Sequence, residues 1–181
     1  MVLQHSRRDA RAAVDGSLVL LADQDRTRWH GEEIASGLAL LRSVPDDVTG
    51  LAREFRLQAS IAAAHAVARR ADETDWAAIA DLYADLEAAT GSPMVRLARS
   101  VAVAEADGPE AGLALIDGFV GIDDALRTNH RLPATRAELL SVRAPRRGGG
   151  VLRGGDPAVR ERRRAIAPGA TTGRGARAEH R

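Results

Sequence analysis

The chain has 181 residues with a formal net charge of +1, and 45% of them are hydrophobic but only 3% aromatic. All 26 basic residues are arginines and none of the 181 is a cysteine. These absences exclude a lysine phosphate loop, a Schiff-base lysine, a thiol nucleophile, a disulfide and a cysteine metal site. A core made largely of alanine, leucine, valine and isoleucine favours close-packed helices over a sheet.

The sequence also predicts the cellular location of the protein and an uneven distribution of charge. No apolar run approaches the roughly 20 residues that span a bilayer, and no signal-peptide pattern is present, so a cytoplasmic protein is predicted. Up to Leu140, 15 arginines stand against 22 acidic residues, and from Ser141 onward 11 stand against 3. The sequence therefore predicts an acidic body (1–140) and a basic tail (141–181).

The first fifty residues predict a helix end, a turn and a second helix. Leu3–Val14 has the pattern of a helix end, and the dipeptide Asp15-Gly16 signals a turn. Leu18–Leu21 is a short apolar run that suits either a strand or a packed loop. The second helix is predicted from about Thr27 to Val44, where the following proline ends it.

Two longer helices follow. Leu51–Arg70 is rich in alanine and apolar on more than one side, so it is predicted to be central and mostly buried. Asp72 or Thr74 is the predicted N-cap of the next helix. That helix carries an apolar stripe at i, i+3, i+4, i+7 and i+10, formed by Trp76, Ile79, Ala80, Tyr83 and Leu86.

Two prolines mark the helix starts after this stripe. Ser92-Pro93 predicts an N-cap followed by a first helical residue, and Gly108-Pro109 ends one helix and begins another. The distance from Asp75 to Pro109 is 34 positions, close to the tetratricopeptide period of about 34 residues. Because the apolar stripe also fits the W-x-x-L-G-x-x-Y pattern, with alanine for glycine, the sequence predicts an all-α fold. Its helices form antiparallel pairs in a tetratricopeptide-like array.

The helical pattern ends after Ala134–Leu140. The tail holds 8 of the 17 glycines and 3 of the 7 prolines and has no apolar stripe, so it is predicted to be disordered. The favoured interpretation of this Arg/Gly-rich stretch is a frameshift near codon 140 of a GC-rich gene. An arginine–glycine arm that contacts nucleic acid and an inert linker are the alternatives, although the arm lacks the aromatic residues used in base stacking.

Residues that could carry chemistry are few. The five histidines (His5, His30, His65, His130 and His180) are scattered without the i, i+3 or i+4 spacing of a helical metal site. His65 is therefore expected to be a core histidine with satisfied hydrogen bonds.

The acidic clusters have equally simple interpretations. Asp81 and Asp85 are expected on a solvated helix face, and Asp72–Asp75 is expected to complement a helix dipole. The stretch Asp23–Arg26 is expected to pair its carboxylates with Arg26 or Arg28 and to cap the following helix, with a protein-contact surface as the alternative. No residue is predicted to be catalytic, cofactor-binding or metal-binding, and no cofactor is expected.

Three ordered stretches of the body carry a family resemblance. They are Asp15–Trp29 running into Ile34–Leu41, then Leu57–Ala66, and then Thr74–Tyr83 continued by Val101–Leu113. In this order and spacing they resemble the C-terminal extension of one group of bacterial extracytoplasmic-function RNA polymerase sigma factors. That extension is a tetratricopeptide-like helical domain that follows the promoter-binding regions, and the resemblance covers residues 1 to about 140.

The resemblance implies a function without catalysis. Only fourteen residues stand before Asp15, so the chain is expected to lack the sigma regions and not to recognise a promoter by itself. It is expected to modulate sigma activity in transcription initiation through contacts with sigma regions or core polymerase. The alternatives are a free-standing tetratricopeptide-like scaffold and a protein that binds nucleic acid through its arginine-rich tail.

Overall fold

The computed structural model describes residues 1–143, and this part of the chain is all-α, as predicted. Short 3₁₀ turns occupy Arg8–Ala10, Leu21–Asp23, Arg26–Arg28 and Ala71–Glu73. In chain order, the α-helices of this part are α1 (Val2–His5), α2 (Gly31–Ser43), α3 (Gly50–Val67), α4 (Trp76–Thr90), α5 (Pro93–Asp107), α6 (Pro109–Asp117), α7 (Ile122–Ala125) and α8 (Arg131–Arg143).

Consecutive helices from α3 to α6 pack against one another. Only Gly91 and Ser92 separate α4 from α5, and Gly108 alone separates α5 from α6, so each pair forms an antiparallel hairpin. Gly91 takes the left-handed conformation (φ +61°), and its N–H donates to the carbonyl of Glu87 at 2.8 Å. This αL cap satisfies a carbonyl at the end of α4 and reverses the chain toward α5.

The core consists of two clusters of buried side chains that both use α5. The first cluster joins α3, α4 and α5 through Leu57, Ile61, Ile79, Ala80, Leu86 and Ala102. The second joins α5 to α8 through Leu97, Leu113, Ile116, Ile122, Leu126, Leu132 and Leu139. Neither set of buried residues contains an aromatic side chain, in agreement with the composition.

The predicted stripe of α4 and the helix starts agree with the structure in most positions. Ile79, Ala80 and Leu86 are buried, while Trp76 and Tyr83 pack against the first cluster as half-buried side chains. Helices α5 and α6 begin at the two predicted prolines. The predicted cap of α4 was wrong, because the carboxylate of Asp75 accepts the N–H of Ala78 at 3.0 Å.

The N-terminal prediction was wrong in its details. Instead of one helix over Leu3–Val14, α1 ends at His5, and a 3₁₀ turn and an extended stretch follow. Leu18 forms an isolated bridge with Ala12, but Leu18 and Leu20 are 86% and 71% exposed, so the apolar run is an exposed loop rather than a strand or a packed loop. Helix α2 begins at Gly31 rather than at Thr27, which lies in a 3₁₀ turn.

The prediction for α3 needs a correction too. Leu57, Ile61 and Ala63 are buried, but Leu51 is 63% exposed and Phe55 is 59% exposed. The first turns of α3 therefore lie at the surface of the array rather than in its interior. The whole helix was predicted to be central and mostly buried, but its buried residues begin only at Leu57.

The C-terminal boundary differs slightly from the prediction. Helix α8 continues through Ser141 to Arg143, whereas the basic tail was predicted to begin at Ser141. The remainder of that tail, with the predicted disorder and the proposed frameshift, lies outside the described residues. Within the described residues, no helix is long and apolar enough to cross a membrane.

Helices α5 and α6 approach each other closely at Gly112 of α6. A Cβ atom at this position would lie 2.6 Å from the carbonyl oxygen of Ser100 and 2.7 Å from the Cβ of Ala104, both on α5. Contacts this short exclude any side chain, so the α5–α6 hairpin requires glycine here.

We expect Gly112→Ala to lower the free energy of unfolding by about 1 to 3 kcal/mol, because α6 must move away from α5. The matched control is Gly31→Ala, where a Cβ has no neighbour within 4 Å. That change should alter stability by less than about 0.5 kcal/mol, because Gly31 is the first residue of α2 and a side chain there meets no neighbour. Urea unfolding followed by circular dichroism measures both, and equal stabilities of the two variants would contradict the packing argument.

Candidate functional site

Arg26 connects the N-terminal segment to the end of α3. Its guanidinium donates to the carbonyl oxygens of His65 and Ala68, both at 2.8 Å, and to the hydroxyl of Thr74 at 3.2 Å. The last carbonyls of a helix have no partner within the helix, so an arginine satisfies them with charge-assisted hydrogen bonds. Arg26 thereby fixes the loop before α2 against the junction of α3 and α4.

The stretch Asp23–Arg26 thus differs from the sequence-based expectation. Asp25 accepts the N–H and the hydroxyl of Thr27 at 3.0 and 2.6 Å, which caps the 3₁₀ turn rather than α2. Arg26 bonds to backbone far along the chain instead of pairing with a local carboxylate. The stretch is a structural anchor whose acceptors are two main-chain carbonyls and the hydroxyl of Thr74.

Trp29 is held by the same anchor. The guanidinium carbon of Arg26 lies 4.7 Å from the centroid of the Trp29 ring, and Trp29 is only 8% exposed. A cation over the face of a partly desolvated indole is an attractive contact. It places the tryptophan beside α3.

A groove of about 460 Å³, which we call the α3 groove, lies where these elements meet. One wall comes from the N-terminal segment and the others from α3, α4 and α5. Its lining residues are Leu3, Gln4, Arg7, Leu21, Trp29, Gln58, Ile61, Ala62, His65, Ala66, Tyr83, Leu86, Met94, Val95 and Ala98.

Each of the three stretches that carry the family resemblance contributes to the α3 groove. The first stretch supplies Leu21 and Trp29, the second supplies five residues of Gln58–Ala66, and the third supplies Tyr83. These stretches are far apart in the sequence, and the fold brings them to one place. The groove is therefore the strongest candidate for a functional site in the described residues.

Arg7 gives the groove its charge. It is half-buried, and its guanidinium forms no hydrogen bond or ion pair with a side chain or carbonyl of residues 1–143; its Nε atom is buried without a partner. Burial lowers the pKa of Arg7, and the nearby positive charges of Arg11 and Arg26 lower it further. An arginine nonetheless stays protonated at physiological pH, so Arg7 is an uncompensated cation at the groove.

His65 is the least expected member of the groove. Burial, and then the charges of Arg7 and Arg26, lower the pKa of His65 to about 4, so its imidazole is neutral at physiological pH. Its ring packs edge-to-face on Trp76 with the centroids 5.2 Å apart. The expectation of a fully satisfied core histidine was wrong, because Nδ1 is buried without a hydrogen-bond partner.

The other sequence candidates lie away from the groove or are structural. Asp81 and Asp85 are exposed, as expected for a solvated face, and His130 is exposed as well. His180 lies outside the described residues. Asp72 pairs with Arg70 at 2.7 Å, and this pair is exposed.

His5 and His30 come closer together than their spacing in the sequence indicates. Both lie beside the guanidinium of Arg8, which also donates two hydrogen bonds to the carboxylate of Glu33 at 2.7 and 2.9 Å. His30 in turn bonds Asp9 at 2.7 Å. This cluster holds the segment after α1 against the start of α2, a role that the sequence spacing did not reveal.

Next to the groove, α3 presents two large apolar side chains to solvent. Leu51 and Phe55 are four residues apart and lie on one side of the helix. Ala62 and Ala66 of the groove follow Phe55 at seven and eleven positions, which returns to the same side. We call Leu51 and Phe55 the α3 apolar face, and it continues the groove toward the start of α3.

The first 44 residues match the family described as a family of unknown function (DUF6596). This part contains Arg7, Arg26 and Trp29. Over 118 residues the chain is 44% identical to a protein of Rhizobium meliloti (strain 1021) that is described as uncharacterized. The alignment covers 65% of this chain and 27% of that protein, so the chain spans about a quarter of its relative. No solved structure matches the chain.

We expect Arg26→Ala to lower the free energy of unfolding by about 2 kcal/mol, because two carbonyls and a hydroxyl in a partly buried site lose a charged donor. The control is Arg28→Ala, two residues away, where the side chain is exposed. That change should alter stability by less than about 0.5 kcal/mol. Urea unfolding measures both, and equal losses would contradict the role of Arg26 as an anchor.

We also expect His65 to make the stability depend on pH. A histidine whose folded pKa is lowered takes up a proton more readily when unfolded, so its contribution is complete above about pH 6.5 and is lost as the pH falls toward 4. The loss should be about 2 kcal/mol after allowance for partial exposure.

The comparison variant is His65→Gln, which cannot titrate. Urea unfolding at pH 7 and pH 4.5 should show a larger loss for the wild type than for His65→Gln. Identical pH profiles of the two proteins would show that His65 is not held neutral by the fold.

Proposed function

We propose that this chain is a C-terminal helical extension of a bacterial extracytoplasmic-function sigma factor. It acts in the cytoplasm as a non-catalytic module that modulates sigma activity in transcription initiation through protein contacts. The observation that supports the proposal is the meeting of the three resembling stretches, through Trp29, Gln58–Ala66 and Tyr83, around a single groove. Stretches that resemble one family are expected to meet in the fold if they serve one function.

The tetratricopeptide-like array supports an interaction role. Stacked helix pairs use extended surfaces to bind other proteins rather than deep catalytic clefts. The α3 apolar face offers such a surface, since Leu51 and Phe55 are more than half exposed although large apolar side chains are normally buried. In this proposal the sigma regions or the core polymerase contact the α3 apolar face.

Affinity purification of the tagged full chain from its host, followed by quantitative mass spectrometry, tests the proposal. We expect enrichment of RNA polymerase subunits together with a sigma polypeptide. The variant Leu51→Ser should reduce this recovery at least about tenfold, because it removes an interface anchor.

The matched control is Leu140→Ser, which changes another exposed leucine, 52% accessible, on α8. It should leave the recovery unchanged. Absence of polymerase subunits and sigma polypeptide would contradict the proposal and favour the free-standing scaffold. Equal recovery with both variants would place the contact elsewhere on the chain.

A further inference from the structure

The α3 groove contains polar atoms that the protein itself leaves without partners. They are Arg7 Nε, Trp29 Nε1 and His65 Nδ1, all buried and all on residues that line the groove. Buried polar groups in folded proteins are nearly always hydrogen-bonded, and three of the eight buried side-chain atoms without a hydrogen bond in the described residues lie on the lining of this one groove. Arginine and tryptophan nitrogens donate only, and a ligand that satisfies them must therefore supply acceptor atoms.

The charge of the groove selects an anion among such ligands. None of its lining residues is an aspartate or a glutamate, and Arg7 is a cation without a counterion among the described residues. Arg26 adds positive charge nearby, and its two terminal NH2 groups already donate to the carbonyls of His65 and Ala68 and to the hydroxyl of Thr74. A carboxylate, sulfonate or phosphate at Arg7 would gain charge-assisted hydrogen bonds without displacing an existing ion pair.

The remaining walls favour an apolar body behind the anionic group. Leucine, isoleucine, methionine, valine and alanine side chains make up most of the lining, with the rings of Trp29 and Tyr83 beside them. The volume of about 460 Å³ falls in the range of pockets that hold small molecules. Apolar walls with a few polar groups at one end are the usual construction of such sites.

We infer that the α3 groove binds a small amphipathic organic anion, with its charged group at Arg7 and its apolar body between α3, α4 and Trp29. The ligand would lie beside the α3 apolar face, on the same side of one helix. This inference does not depend on the sigma-factor proposal, and its test involves no protein partner.

The test uses two fluorescent probes that share an aromatic skeleton. One is 8-anilino-1-naphthalenesulfonate, and the other is N-phenyl-1-naphthylamine, which lacks the sulfonate. We expect Arg7→Met to weaken binding of the sulfonate about tenfold, because the substitution removes one charge-assisted hydrogen bond. Binding of the uncharged probe should change less than about threefold by the same reasoning.

Two further variants control this result. Arg127→Met removes an exposed arginine outside the groove and should change neither affinity. Leu51→Ser alters the α3 apolar face and should keep the difference between the probes. Equal weakening of both probes by Arg7→Met, or no weakening of the sulfonate, would overturn the inference.

A measurement on the wild-type chain alone keeps the inference testable if Arg7→Met does not fold. Octanoate and octanol share a chain length and differ in charge, and each competes with the bound sulfonate probe. We expect octanoate to displace the probe at a concentration about tenfold lower than octanol. Displacement by octanol at an equal or lower concentration would overturn the inference.

Discussion

The guanidinium of Arg26 is the contact on which the N-terminal half depends. It joins a loop to the backbone carbonyls that end α3, at separations of 39 and 42 residues along the chain. Because two of its partners are main-chain carbonyls, the contact sets the position of a whole segment rather than of one side chain. Trp29 stacks on the same guanidinium, and the wall of the α3 groove formed by this segment follows from that placement.

The C-terminal half depends on small residues instead of on a charged anchor. Alanine and glycine let α4, α5 and α6 approach closely, and aliphatic side chains then fill the spaces between them. Gly112 is an example, since its backbone lies against Ser100 and Ala104. A protein with so few aromatic residues forms a dense core by bringing backbones together rather than by filling wide gaps with rings.

Local signals explain why some of the fold could be predicted. Gly91, Pro93 and Pro109 act on the backbone within a few residues, so the α4–α5 and α5–α6 hairpins were evident from the sequence. The segment before α2 was not, because its path is set by distant carbonyls that leave no pattern in side chains. The exposure of Leu51 and Phe55 was missed for the same reason: periodicity identifies an apolar side of a helix but not whether another helix covers it.

Only part of the candidate site could be predicted from the sequence. Trp29, His65 and Tyr83 lie in the three stretches that carry the family resemblance, yet nothing in their spacing indicates that they share a groove. The sequence did not single out Arg7 among the 26 arginines, because its lack of a counterion among the described residues is visible only in the structure. Neighbours and missing partners are properties of three-dimensional structure, and both are needed to recognise a binding site.

Helix α5 belongs to both halves of the core, through Ala102 in one cluster and Leu97 in the other. It is therefore shared by the two core clusters, and the packing of each cluster helps to hold α5 in position for the other. A disturbance that loosens α6 to α8 would reach the α3 groove by this route, since Met94, Val95 and Ala98 of α5 form part of its lining. Events at the far end of the array thus have a mechanical path to the site, without any contact between the two.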